Sequence, residues 1–309
     1  MKKLNCFLMV ARCASFLSIH LLPKGEGWDE GNDEKKIGFP HLHPLPEGEE
    51  NSHTALMVAF VFLLVVISGC ASSTPVGHAS ALSPDVSIVS PAGFLWSPPQ
   101  TVHHQVGPME TLWRIAKEYD VDIHTIMEVN HINNPNEIRA GQKLVIPGTR
   151  GLRPVIPLYK GRPWYYIVVH HTATDMGNAE SIHRSHHQRG FWDGLGYHFL
   201  IDNGTLGKLD GQIEISPRWI KQKDGAHCNA AGMNQKGIGI ALVGNFSQGN
   251  VSEQQLDSLV FLVSTLMKHY RIPISNVIRH GDVPGKNTEC PGKYFPWNDF
   301  LTRLQKATR

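Results

Sequence analysis

Apolar and polar positions change their spacing several times along the chain, and each change predicts a different element. From Ala55 to Ile67 the text reads ALMVAFVFLLVVI without a polar break. A bilayer needs about 20 apolar residues to be crossed, so this run is short for a span and suits the core of a signal peptide. Further on the spacing becomes helical. Thr111 is placed to cap a helix whose apolar face is Leu112, Ile115, Ala116 and Tyr119, at intervals of three and four. A second helix over Ile123–Asn130 carries Ile123, Ile126 and Met127, and Ile138–Pro147 turns into a short strand. From Trp164 to Val169 the residues are aromatic and β-branched without polar alternation, as in a strand covered on both faces. Asn178–Gln188 reads as a helix, and Gly196–Ile201 and Gly237–Val243 as further strands. Ser252 and Gln255 form a capping box before a stripe of Leu256, Leu259, Val260, Val263, Leu266 and Met267, which is a core-facing helix.

These patterns divide the chain into a targeting region over 1–70, a Ser/Pro/Ala/Gly-rich linker over 71–100, a small unit over 101–148, a linker over 149–162 and a larger unit over 163–309. A length of 309 residues suits about two domains at roughly 150 residues each. Within the targeting region, Met1–Leu22 looks like a second signal start and Pro23–His53 reads as disorder, so residues 1–54 are set aside from the fold. Lys and Arg number 29 against 27 Asp and Glu, a net charge of +2, and no basic run calls for nucleic acid. The five cysteines are odd in number and scattered, which is not the pattern of a disulfide framework.

The 18 histidines are the unusual feature of the composition, because imidazole serves proton transfer and zinc ligation. His170 closes the buried strand, His280 follows Asn276–Arg279, and Cys290 lies ten residues on. Two imidazoles and a thiolate form a three-donor set suited to zinc, with a fourth position left for water. A separation of 110 residues between His170 and His280 points to a site assembled by the fold, which favours a catalytic over a structural metal. His183, His186 and His187 are read as a polar helix face and Cys228 as a small buried filler. His171 is expected to point away from His170, since neighbours on a strand face opposite sides.

Three resemblances sharpen this picture. The apolar run ending in Ile-Ser-Gly-Cys resembles the bacterial lipobox, which implies lipid attachment at Cys70 and a lipid-anchored place in the cell envelope, facing the periplasm or cell wall. ETLWRIAKEY and VNHINNPNEIRAGQKLVIP resemble the LysM module, a small βααβ unit that binds N-acetylglucosamine-containing glycans, with Met109 where that family usually has Gly. VVHHTAT, GYHFLID, GAHCNAAGMN, KGIGIALVGNF and RHGDVPGKNTECPG, in that order, resemble the zinc N-acetylmuramoyl-L-alanine amidases of the peptidoglycan-recognition and phage-lysozyme type. That likeness implies an α/β fold with a mixed central sheet flanked by helices. It implies Zn2+ on His170, His280 and Cys290, Tyr197 and Thr288 as catalytic residues, and His227 as a substrate-binding residue. Ala241 and Cys290 separate this chain from the cytosolic branch, which has Glu and Asp at those places. The expected reaction is hydrolysis of the amide between N-acetylmuramic acid and L-alanine in peptidoglycan. The rival readings are a non-catalytic peptidoglycan-binding lipoprotein and a zinc peptidase acting within the stem peptide. The expected partners are peptidoglycan and, through the anchor, a membrane.

Overall fold

The computed structural model describes residues 85–88 and 98–309, so the signal-like run and Cys70 lie outside the described residues. Strand β1 (Asp85–Ile88) precedes a βααβ unit made of β2 (Gln100–Gln105), α1 (Leu112–Tyr119), α2 (Ile123–Val129) and β3 (Lys143–Thr149). Thr111 caps α1 by accepting the Arg114 N–H at 3.2 Å, and Asp122 caps α2 by accepting from His124 and Thr125. Antiparallel pairing sets Val102 opposite Ile146, and Leu112, Ile115, Tyr119, Ile126, Leu144 and Ile146 close a small core. Asn130 lies just past α2, where its side chain both donates to and accepts from the backbone of Val145, each at 2.7 Å.

The larger unit contains β4 (Val155–Leu158), β5 (Tyr166–His171), α3 (Ala179–Gln188), β6 (Phe199–Asn203), β7 (Asp210–Ile215), α4 (Pro217–Ile220), α5 (Met233–Lys236), β8 (Gly237–Leu242), α6 (Glu253–Tyr270), β9 (Val277–Arg279) and α7 (Trp297–Ala307). Its sheet has the order β7-β6-β8-β5-β9, antiparallel at β6–β7 and parallel elsewhere. This is the α/β architecture with a mixed sheet and flanking helices. Alternation along β5 sends Ile167 and Val169 to one face, where they pack with Ile240, Leu242 and the α6 residues Leu259 and Val263. Val168 joins Cys228, Met233 and Val283 on the other face, and His170 is in register with Val168.

Residues 149–162 are not the free linker that their composition suggests. Val155–Leu158 is a wholly buried strand paired antiparallel with Asp85–Ile88, and Ile156 enters the main core. Thr149 and Arg153 tie the same segment to α1 through the backbone oxygens of Tyr119 and Glu118. Such short apolar stretches (Val86, Ile88; Val155, Ile156) are too brief to stand out in the sequence, and each needs a strand partner distant in sequence. The 71–100 stretch is corrected in the same way: it contains β1 and the first residue of β2.

The two units also share a buried network of charges. Glu110, beside α1, accepts from Arg114 at 2.7 Å and from the Gly107 N–H at 2.7 Å, with His104 Nε2 at 2.8 Å. Lys208, from the β6–β7 connection, lies 2.7 Å from Glu214 and 3.7 Å from Glu110. Glu214 in turn accepts the Ala179 N–H at the start of α3. Burial opposes the charge on Lys208, but Glu110 and Glu214 outweigh it and raise its pKa above the ordinary value. Burial pushes Glu118 up to about 8 and raises Asp202 strongly. Two cations, Arg114 and Lys208, thus lie against Glu110 and Glu214, while burial disfavours the charged forms of Glu118 and Asp202.

Removing one member of a buried pair leaves the other charge uncompensated and typically costs about 3–5 kcal/mol. Glu110→Gln is thus expected to lower stability by about 3 kcal/mol, read from urea denaturation of the full chain. A loss below about 1 kcal/mol, in the range of an exposed pair, would mean that the network does not hold the units together.

Candidate metal centre

Strands β5 and β9 run parallel as neighbours, with Val169 opposite Arg279. Their carboxyl ends therefore meet, and this is where sites form in open α/β sheets. His170 is the penultimate residue of β5 and His280 follows β9 directly, so their rings approach to a centroid distance of 4.4 Å. The following turn folds back because the Gly281 N–H donates to the Cys290 carbonyl at 2.9 Å. That places Cys290 Sγ 3.8 Å from His170 Nδ1 and 3.4 Å from the His171 N–H. One donor atom each from His170, His280 and Cys290 lies within 4.8 Å of the others. Among the described residues this is the only group of three or more His, Cys, Asp or Glu able to hold a metal ion.

All three side chains are buried. Burial drives the His170 pKa well below its usual value and His280 down to about 4, with nearby histidines and Lys286 adding to the effect. Both imidazoles are consequently neutral and have a lone pair to give. Burial pushes the Cys290 thiol up to about 12, so a proton leaves it readily only against a cation held at the same place. Two neutral imidazoles and one thiol are the donor chemistry of zinc, with three protein ligands leaving a position open. Ala241 pairs with His170 across β5–β8 and brings no carboxylate there.

Tyr197 is 1% exposed with its ring 5.2 Å from that of His170. Burial first, and Cys290 second, raise its pKa far above the usual value, so it is a neutral phenol. Its approach is set by two histidines on α3. His183 Nδ1 accepts the Leu195 N–H at 3.2 Å, and His186 Nδ1 accepts the Gly196 N–H at 3.1 Å. The sequence marked both only as part of a polar helix face, although the Gly-rich stretch that they hold follows them directly. Thr288 accepts the Cys290 N–H at 3.2 Å, which puts its hydroxyl beside the donor group. His171 faces the other side of the sheet and accepts the Phe246 N–H at 3.1 Å. Cys228 is buried.

His227 departs from expectation. It is 1% exposed, with Nδ1 3.1 Å from His170 Nε2 and Nε2 3.2 Å from the Gly237 carbonyl. Both ring nitrogens are engaged within the protein, so it stands behind His170 instead of offering a group to a substrate.

The N-acetylmuramoyl-L-alanine amidase family matches residues 160–293, and the LysM domain family matches residues 104–147. Peptidoglycan-recognition protein 2 of Holotrichia diomphalia is 32% identical over 141 residues, spanning 41% of this chain and 70% of the relative. The chain belongs to the family of the peptidoglycan-recognition proteins, and within it residues 160–293 match the N-acetylmuramoyl-L-alanine amidase domain. N-acetylmuramoyl-L-alanine amidase CwlH of Bacillus subtilis is 29% identical over 152 residues, spanning 47% of this chain and 57% of that protein. Among solved structures, the endolysin N-acetylmuramoyl-L-alanine amidase LysCS of Clostridium intestinale is 37% identical over 47% of this chain and 85% of its own, with a TM-score of 0.39. The amidase-family domain thus contains every residue of the three-donor set, and the LysM domain lies ahead of it.

Purified protein is expected to bind one zinc per chain by metal analysis. Cys290→Ala removes the thiol while leaving both imidazoles, and bound zinc should fall to a small fraction of that. A Cys290→Ala protein that still held a full equivalent would exclude Cys290 from the donor set.

Proposed function

We propose that the protein is a zinc-dependent N-acetylmuramoyl-L-alanine amidase that hydrolyses the amide joining N-acetylmuramic acid to L-alanine in peptidoglycan. The observation that carries the reading is the convergence of His170, His280 and Cys290 within 4.8 Å next to the buried phenol of Tyr197. The family membership and the similarity to CwlH support the same reaction. The intact donor set favours an enzyme over a receptor that only binds the wall.

Zinc held by these residues would act as a Lewis acid and bring a bound water's pKa to about 7. The protein's own contribution is orientation and hydrogen bonding. Tyr197, kept protonated by burial, has an O–H to donate to the oxyanion that develops on the amide oxygen. The Thr288 oxygen accepts from Cys290, which leaves its own proton for the same use. Such donors act mainly in the transition state, and losing one costs about 10²–10³ in rate. The LysM domain would hold glycan for the neighbouring site. A lipid on Cys70 would anchor the protein in the bacterial envelope, as the lipobox-like sequence suggests. Stable anchoring takes more than one acyl chain.

Two experiments decide this. Digested peptidoglycan should release intact stem peptides beginning with L-alanine and leave the glycan uncut, as read by mass spectrometry. Truncated stems would instead identify a peptidase, and no release a binder. Tyr197→Phe should keep its zinc while kcat falls about 10²–10³-fold with KM little changed. An unchanged kcat would remove Tyr197 from the reaction. For the anchor, Cys70→Ala should move the protein out of the membrane fraction, and an unaltered distribution would overturn the lipoprotein reading.

A further inference from the structure

His227 sits beneath the donor set without belonging to it, and its surroundings are unusually specific. The Asn234 side-chain oxygen accepts the N–H groups of both His227 and Cys228, at 2.9 and 2.8 Å, which pins the backbone that presents the ring. Two glycines clear the space. A Cβ on Gly225 or on Gly239 of β8 would run into the His227 ring itself. The chain therefore gives up two side chains, one of them in a central strand, where glycine weakens pairing. That is a large concession for a filler histidine.

The hydrogen bonds have a single consistent direction. A carbonyl oxygen can only accept, so the 3.2 Å contact of His227 Nε2 with Gly237 requires a proton on Nε2. A second proton on Nδ1 would bury a cation against a carbonyl and other imidazoles, an unfavourable place for charge. With Nδ1 bare, the 3.1 Å contact to His170 Nε2 has one donor available, the His170 Nε2–H. His170 then has its lone pair on Nδ1, the atom 3.8 Å from Cys290 Sγ. In the opposite tautomer that position would carry a hydrogen and could not bind a metal.

We propose that His227 is a positioning residue that locks His170 in its Nε2–H tautomer and aims the Nδ1 lone pair at the space shared with His280 and Cys290. The Gly237 carbonyl sets His227, and His227 sets His170. This rests on reading the three residues as a metal site, and it adds the device that prepares the site before metal arrives. Partners that fix a ligating histidine are generally worth about 10–100-fold in metal affinity.

The test has one readout without metal and one with it. In uniformly 15N-labelled, metal-free protein, two-bond 15N–1H correlation should show His170 and His227 both as Nε2–H tautomers. An Nδ1–H tautomer at His170 would overturn the proposal. With metal, chelator competition should give a zinc Kd about 10–100-fold weaker for His227→Leu. His227→Asn, whose amide oxygen can accept from the His170 Nε2–H, should recover most of that loss. Gly239→Ala, which keeps the histidine but displaces its ring, should weaken zinc binding as His227→Leu does. Wild-type zinc affinity in both His227→Leu and Gly239→Ala would overturn the proposal. Should His227→Leu fail to fold, the wild-type tautomers and Gly239→Ala still decide. Wild-type protein that shows the Nε2–H pattern but binds no zinc would sink the metal reading and leave the tautomer lock standing.

Discussion

Parallel pairing of β5 with β9 is the constraint on which the chemistry depends. Antiparallel neighbours would put the end of one strand beside the start of the other. Here the two strands finish together, so a histidine at the end of β5 and another just beyond β9 meet. Pairing on the opposite flank, with His170 against Ala241 of β8, keeps β5 in the interior of the sheet instead of at its edge. The alternation of the strand then decides which histidine of the pair faces the site, because His170 and His171 project to opposite faces.

Burial at that junction has a double effect. It keeps the two imidazoles neutral and Tyr197 protonated, which suits them to donate a lone pair and a hydrogen bond respectively. It also holds the Cys290 thiol protonated up to about 12, so the donor set is complete only with a cation that compensates the thiolate. The same dryness demands that the polar atoms lining the pocket find partners within the protein. His183 and His186 meet backbone N–H groups, and His227 is held between a carbonyl and His170. Histidine, able to donate at one nitrogen and accept at the other, is the side chain best suited to such linking, which accounts for its abundance around the site.

A second consequence of burial joins the two units. Lys208 of the amidase-family domain and Glu110 of the LysM unit are both removed from water, and neither could be left alone there at small cost. Glu214 links Lys208 to the first turn of α3, the helix whose histidines set the approach to Tyr197. The LysM unit is thereby connected by contacts to the helix beside the site, and β4 packs the intervening chain into the main core. A glycan bound to that unit would meet the site at a set orientation, unlike one tethered on a flexible linker.

Local sequence was enough for what depends on local rules. The capping residues Thr111 and Ser252, the helical stripes and the three metal-type donors were legible, because spacing and chemical type are properties of the chain itself. The buried strand expected at Trp164–Val169 was found two residues further on, at Tyr166–His171. The order of motifs also carried the family. Contacts between distant segments were not legible. Residues 149–162 looked like a linker because a four-residue strand has no signature apart from its partner, here β1. The burial of Glu110, Lys208 and Glu214 has no local sign, because nothing in a sequence tells a solvated carboxylate from one facing a lysine about 100 residues away. His227 was recognisable as a member of the site by its motif, but its task was not. Its role follows from which atoms lie against its two nitrogens, and only the packing of β8, Gly225 and His170 around one ring decides that.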